Sequence, residues 1–146
     1  PSEHIAENAI HFWRNSHNTI VRNNTIINSD RGIGFGLGNV DNEHIGGIIE
    51  NNIIFHNNKG HPYKDAGIVL ESAKGTKVLS NTVLLHSGYP NAIEYRFGFT
   101  HSVEIRNNVV LGAIKQRNGA SGTVAENAQL TLSDEKRSMW STLLGK

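Results

Sequence analysis

The sequence contains no cysteine and a single methionine. Without cysteine, disulfides and thiolate metal sites are excluded, and the redox compartment leaves no trace. An excess of one charge is lacking too: 14 Lys and Arg face 13 Asp and Glu, a formal net charge of +1. Nucleic-acid binders usually carry a clustered basic excess, so this balance argues against that class of partner. No apolar run approaches the roughly 20 residues that span a bilayer, and no signal-peptide core opens the chain. The 146 residues suit one domain with a core of useful size.

What is abundant is Asn, present 18 times, and Ile, present 15 times. Asn is depleted in regular structure but tolerates the left-handed backbone at turns, whereas Ile prefers strands. The two are phased together. Val21-Arg22-Asn23-Asn24-Thr25-Ile26 aligns with Ile49-Glu50-Asn51-Asn52-Ile53-Ile54, and then with segments 78–83, 105–110 and 124–129. The repeated positions Asn24, Asn52, Asn81, Asn108 and Asn127 lie 28, 29, 27 and 19 residues apart. A second strand pattern accompanies each: Ala9–Trp13, Gly32–Gly36, Gly67–Glu71, Ala92–Arg96 and Ala113–Arg117, each a small residue followed by period-2 alternation.

A fixed period of this length signals a solenoid. The expected fold is all-β, a single right-handed parallel β-helix of about five coils over residues 1–132, its rungs about 4.8 Å apart and its Asn side chains stacked in a ladder. Residues 133–146 read as a short C-terminal helix: Ser133 suits the N-cap, Asp134 and Glu135 the first turn, and Gly145 the end. Its apolar stripe of Met139, Trp140, Leu143 and Leu144 would cap the last coil or form a dimer contact. No cap is visible before the first strand, and residue 1 is not Met. The chain is then a piece of a longer β-helix, or its open coil end pairs with another copy to form a homo-oligomer.

The stretches Ala9–Trp13, Asp30–Gly38, Asp65–Glu71, Asn91–Phe97 and Asn118–Ala120 together resemble bacterial right-handed parallel β-helix repeat proteins of the pectate-lyase-like superfold. The resemblance spans roughly residues 4 to 130. It implies a usually secreted or periplasmic protein and an acidic polysaccharide as the prior substrate, but fold alone does not fix function. Neither the paired aspartates, Gly-His-Gly and Arg-Ile-Lys of polygalacturonases nor the Asp-Pro-His of alginate epimerases is present. No catalytic residue carries over.

Strict alternation in the first strands puts Ile10, Ile33, Ile68, Ile93 and Ile114 inward, with Phe12, Phe35, Leu70, Tyr95 and Gln116. The outward columns are then His11, Gly34, Val69, Glu94 and Lys115, and Trp13, Gly36, Glu71, Arg96 and Arg117. Trp13 beside the gap at Gly34 and Gly36 suits a sugar ring. Arg96 and Arg117 suit its carboxylates, and Tyr63 and Tyr89, on loops 56–65 and 86–91, would wall a groove. If the chain is an enzyme, Glu71 and Glu94, roughly 8 Å apart by strand geometry, would act as the acid and base of an inverting glycoside hydrolase. Alternatively Lys115 or His11 would accept the proton in a polysaccharide lyase. The competing reading is a salt ladder, Glu71 with Arg96 and Glu94 with Lys115, with Arg22 and Glu50 paired on the second sheet. A further alternative is a non-catalytic structural solenoid. The eight histidines read as loop residues without zinc-like spacing, so no metal or cofactor is assigned, and Ca has no supporting motif.

Overall fold

The computed structural model describes residues 6–133. Every strand pair in it is parallel. One five-stranded sheet runs through β1 (Asn8–Phe12), β5 (Arg31–Gly36), β9 (Ile68–Glu71), β13 (Asn91–Arg96) and β16 (Ala113–Arg117). A narrow corner sheet joins β2 (Ser16–His17), β6 (His44–Ile45) and β10 (Ala73–Lys74). A third sheet stacks β3 (Ile20–Arg22), β7 (Ile48–Glu50), β11 (Lys77–Leu79), β14 (Val103–Arg106) and β17 (Gly122–Ala125). The fourth stacks β4 (Thr25–Ile27), β8 (Ile53–His56), β12 (Thr82–Leu85), β15 (Val109–Leu111) and β18 (Ala128–Leu130). The chain visits these sheets in turn and returns to the first, an all-β solenoid consistent with a parallel β-helix.

The expected columns are in register. Ile33 pairs with Ile10 and Ile68, and Ile93 with Ile68 and Ile114. Ile33, Phe35, Ile68, Leu70 and Ile93 are completely buried, and the same interior holds Val21, Ile49, Val78 and Ile105 from the third sheet and Ile26, Ile54, Val83 and Val110 from the fourth. Each such side chain contributes about 1.5–3 kcal/mol by leaving water. The columns fail only at the first and last described rungs: Phe12 is 39% exposed and Gln116 is also exposed, and each of these rungs pairs on one side only among the described residues.

The Asn ladder closes every turn between the third and fourth sheets. The Nδ2 groups of Asn24, Asn52 and Asn81 donate to the Oδ1 of the next rung at 3.0 Å, and that of Asn108 donates to Asn127 at 2.9 Å. The backbone N–H of each donates to the same oxygen. The other Nδ2 hydrogen of Asn52, Asn81 and Asn108 reaches a main-chain carbonyl, of Val21, Ile49 and Val78 in turn, at 3.0 Å. Buried amides are satisfied in full, as a low-dielectric interior demands. The left-handed residue is not the ladder Asn but the one before it: Asn23, Asn51, Ser80, Asn107 and Glu126 all have φ between 55° and 61°.

Three expectations need correction. The outward column of the first sheet is not a solvent face: Val69 is 1% exposed, Glu71 6% and Glu94 0%. Loops 37–43, 57–66 and 86–91 fold over it, as the contacts of Gly38, Asp65 and Tyr89 below show. His44 and His56 are buried rather than loop residues; His44 stacks on Phe35 with ring centroids 3.9 Å apart. The corner sheet was not expected, since a two-residue strand has no measurable period. The helix expected over 133–146, and with it the cap or dimer contact, lies beyond Ser133 outside the described residues.

Candidate functional site

Glu94 sits at the centre of the covered face. Its Oε1 accepts Arg96 Nε at 2.8 Å, Arg96 Nη2 at 2.5 Å and Arg117 Nη1 at 2.9 Å. Its Oε2 accepts Tyr89 Oη at 2.6 Å and Asn91 Nδ2 at 2.8 Å. Burial opposes ionisation, but the donors of Tyr89, Asn91, Arg96 and Arg117 together overcome it and hold the carboxyl at about 2. Burial first, and then the bond to Glu94, pushes the Tyr89 phenol well above its ordinary value.

One rung back, Glu71 Oε1 takes Arg31 Nη1 at 3.2 Å and Arg96 Nη1 at 3.3 Å, while its Oε2 accepts the Gly38 amide at 2.9 Å. Asp65 accepts Arg31 Nε at 2.8 Å and lies 3.8 Å from Arg96 Nη2. Three carboxylates thus meet three guanidiniums. The like-charge neighbours Arg96 and Arg117 are tolerated in one column because Glu94 Oε1 lies between them.

The expected Glu71–Arg96 pair is present, and Arg22–Glu50 closes at 2.7 Å on the third sheet. Glu94, however, takes Arg96 and Arg117 rather than Lys115, which is in register with it and exposed. Arg31, Asp65 and Asn91 were not singled out from the sequence, and two backbone irregularities account for Arg31 and Asn91. The amides of both Gly32 and Ile33 donate to the Gly67 carbonyl, and the pairing of β13 with β16 shifts register between Asn91 and Ile93. Each breaks the alternation by one residue and sends outward a side chain that strict period 2 would aim at the core.

The remaining candidates are dispersed. His11 is on the first rung and Lys115 on the fifth, about 19 Å apart at the rung spacing, so the four candidate catalytic groups do not converge. His11 Nε2 donates to the Gly36 carbonyl at 2.8 Å, and its ring stacks on Trp13 at 4.1 Å, covering one face of an indole that is 37% exposed. The gap expected at Gly34 and Gly36 is filled. A Cβ at Gly34 would stand 2.5 Å from Asn8 Oδ1, and one at Gly36, where φ is +82°, would stand 1.8 Å from the Glu71 carbonyl oxygen.

Tyr89 is committed to Glu94. The Tyr63 amide donates to His61 Nδ1 at 3.1 Å, and His61 Nε2 meets Asp30 Oδ1 at 3.0 Å. The two loops do approach each other: a cleft of about 250 Å³ is lined by Lys59 from one, by His86, Tyr89 and Pro90 from the other, and by Gly112 just before β16. Among the described residues no group of three or more His, Asp or Glu side chains could hold a metal ion, and no helix is long and apolar enough to cross a membrane.

Compared with known proteins, the chain significantly matches no family model, no curated protein and no solved structure.

Proposed function

We propose that this chain is a right-handed parallel β-helix of five coils, akin to the pectate-lyase-like superfold, that binds an acidic polysaccharide without cleaving it. The observation that carries the non-catalytic half is the state of Glu94. A carboxyl held at about 2 stays ionised at neutral pH and is no proton donor. Its oxygens are occupied by the donors of four side chains. Glu71 is bound to two arginines and an amide. An inverting pair needs one protonated and one free carboxyl.

The binding half rests on β16. Lys115 is exposed, and Arg117, its side chain 44% exposed, commits only Nη1 to Glu94. Two cations two residues apart project from the same face about 6.6 Å apart, next to the cleft with Tyr89 and Pro90. Glu94 fixes the Arg117 guanidinium in advance, which lowers the ordering cost of holding a uronate carboxylate.

Thermal unfolding against pectate, alginate, glycosaminoglycans and neutral glucans, with and without calcium, tests the reading. A ligand of the folded state raises the midpoint by mass action. An anionic glycan should raise it, the effect should fall with salt, and Lys115→Ala with Arg117→Ala should abolish it. A flat panel, or a shift indifferent to both substitutions, overturns the proposal.

A further inference from the structure

Loop 57–66 is anchored to the solenoid at both ends. At Asn57 the side chain accepts Asn28 Nδ2 at 3.1 Å and the N–H donates to Asn28 Oδ1 at 2.8 Å. At Asp65 the N–H donates to the Asp30 carbonyl at 2.8 Å, and the carboxylate takes Arg31. Between the anchors two histidines shape the chain in the same way. His56 Nδ1 accepts the Asn58 N–H at 3.2 Å, and His61 Nδ1 accepts the Tyr63 N–H at 3.1 Å. A ring nitrogen that accepts carries no proton, so each ring is neutral with its hydrogen on Nε2. His61 gives that hydrogen to Asp30 Oδ1 at 3.0 Å. His56 has nothing to give it to: the residue is 2% exposed, and its Nε2 has no partner among the described residues.

A second proton on His56 has no place in this arrangement. It would sit on Nδ1 and point at the Asn58 N–H, setting two donors against each other. The charge would also arise beside other cations. From the same loop, the His61 ring stands edge to face at 5.6 Å and Lys64 adds its charge. From the corner before β5 comes the opposing charge of Asp30, already committed to His61 and to the Glu7 N–H. The next rung offers apolar Leu85, in register with His56, while the His86 ring lies against Phe55. Burial, ahead of these charges, pushes His56 below its ordinary value. A buried cation without an acceptor for either N–H is strongly disfavoured.

We propose that segment 58–64 is a proton-gated cover, closed over His56 while that ring is neutral and swung away from the solenoid when the ring is protonated, with Asn57 and Asp65 as the fixed ends. In the open state His56 meets water and takes up a proton near the usual histidine value of about 6.5, whereas the closed state resists it. The open state binds more protons. Opening is therefore favoured as pH falls below about 6.5, by up to about tenfold per pH unit for one proton. Lys59 belongs to this segment and forms one wall of the cleft beside Tyr89, so acid moves that wall. The device needs no glycan and stands whether or not the molecule binds one.

Hydrogen exchange of the full 146-residue chain in glycan-free buffer, from about pH 7.5 to 4.5, tests the cover. The amides of Asn58, Gly60, His61 and Tyr63 are bonded within the loop and report its opening, and those of Asn52 and Asn81 report the ladder. After correction for the intrinsic pH dependence of exchange, the loop amides should be less protected than the ladder at every pH, the mark of a local opening. Their protection should fall about tenfold or more between pH 6.5 and 5. His56→Gln keeps an oxygen that can accept the Asn58 N–H but cannot be charged, so loop protection in that variant should no longer depend on pH. Circular dichroism checks that it folds. Loop protection that is independent of pH in the wild type, equal to that of the ladder, or still falling with acid in His56→Gln overturns the proposal. A wild-type measurement needs no variant: the His56 ring proton signals in NMR should titrate below pH 6.5, and titration at or above it overturns the proposal as well.

Discussion

Asn81 is the rung of the ladder with the most to lose. It donates to Asn108 Oδ1 and to the Ile49 carbonyl, and it accepts from the N–H and Nδ2 of Asn52, all four at 3.0 Å. It is 1% exposed, so water cannot replace those partners. Asn81→Ala removes all four bonds and leaves Asn52 N–H and one of its Nδ2 hydrogens without their acceptor in the interior. At about 1 kcal/mol net per bond the loss is about 4 kcal/mol, or roughly 10 °C in Tm for a chain of this size. Asn24, on the first rung, donates to Arg22 C=O and Asn52 Oδ1 and has no donor to its own Oδ1 among the described residues, so Asn24→Ala should cost only about 1–2 kcal/mol. Asn81→Asp keeps the accepting oxygen, loses both donors and turns a carboxylate toward two acceptors; it should be at least as damaging as alanine. Urea unfolding midpoints at constant slope measure all three. Equal costs for Asn24→Ala and Asn81→Ala would refute the account, because the ladder would then contribute by shape rather than by satisfied polarity.

Acid should destabilise the protein in two separate windows. Burial, ahead of the other influences on it, holds His44 at about 4 when folded, against 6.5 for the free side chain, so the unfolded chain takes up a proton first and stability falls as pH drops from about 6.5 to 4. His44→Phe keeps the stack on Phe35 and should flatten that window in a pH series of melts; an unchanged slope would assign it elsewhere. Glu94, held at about 2 against 4.5, keeps its full contribution above pH 4.5 and loses it as pH falls toward 2, a decline that Glu94→Gln should abolish while lowering stability at neutral pH by about 3 kcal/mol or more. Ser80 occupies the left-handed position with φ 56° that Asn fills at 23, 51 and 107, and it is exposed. Ser80→Asn should therefore stabilise by a few tenths to about 1 kcal/mol, and a lower melting temperature would count against the conformational argument.

The strand columns were legible because burial repeats every second residue and the same column recurs in each coil. Ile33, Ile68 and Ile93 could be aligned from the sequence and stand aligned in space. The ladder was legible for the same reason. Its role in the backbone was not, since the residue before each Asn takes the left-handed turn and the sequence shows only an Asn-Asn pair at three of the five corners. The burial of Glu94 was invisible because it depends on loops 57–66 and 86–91, whose paths no local pattern sets. Arg31 and Asn91 were not singled out, since strict alternation would aim both at the core and a bulge leaves no mark on composition.

The unequal separations along the ladder say what a coil of this chain is made of. Nineteen residues carry the chain from Asn108 to Asn127 with the bond geometry unchanged, whereas 27 to 29 are used between the other rungs. Closure is thus fixed by a few main-chain and amide contacts at one corner, and the contour length between corners is free. The stack behaves as a rail, and the loops hung from it can lengthen, shorten or change composition without disturbing the next rung. The loops that cover the charged cluster around Glu94 and line the cleft beside Tyr89 are of this kind, so the cover over the strand-borne charges is the part the architecture leaves most open to change.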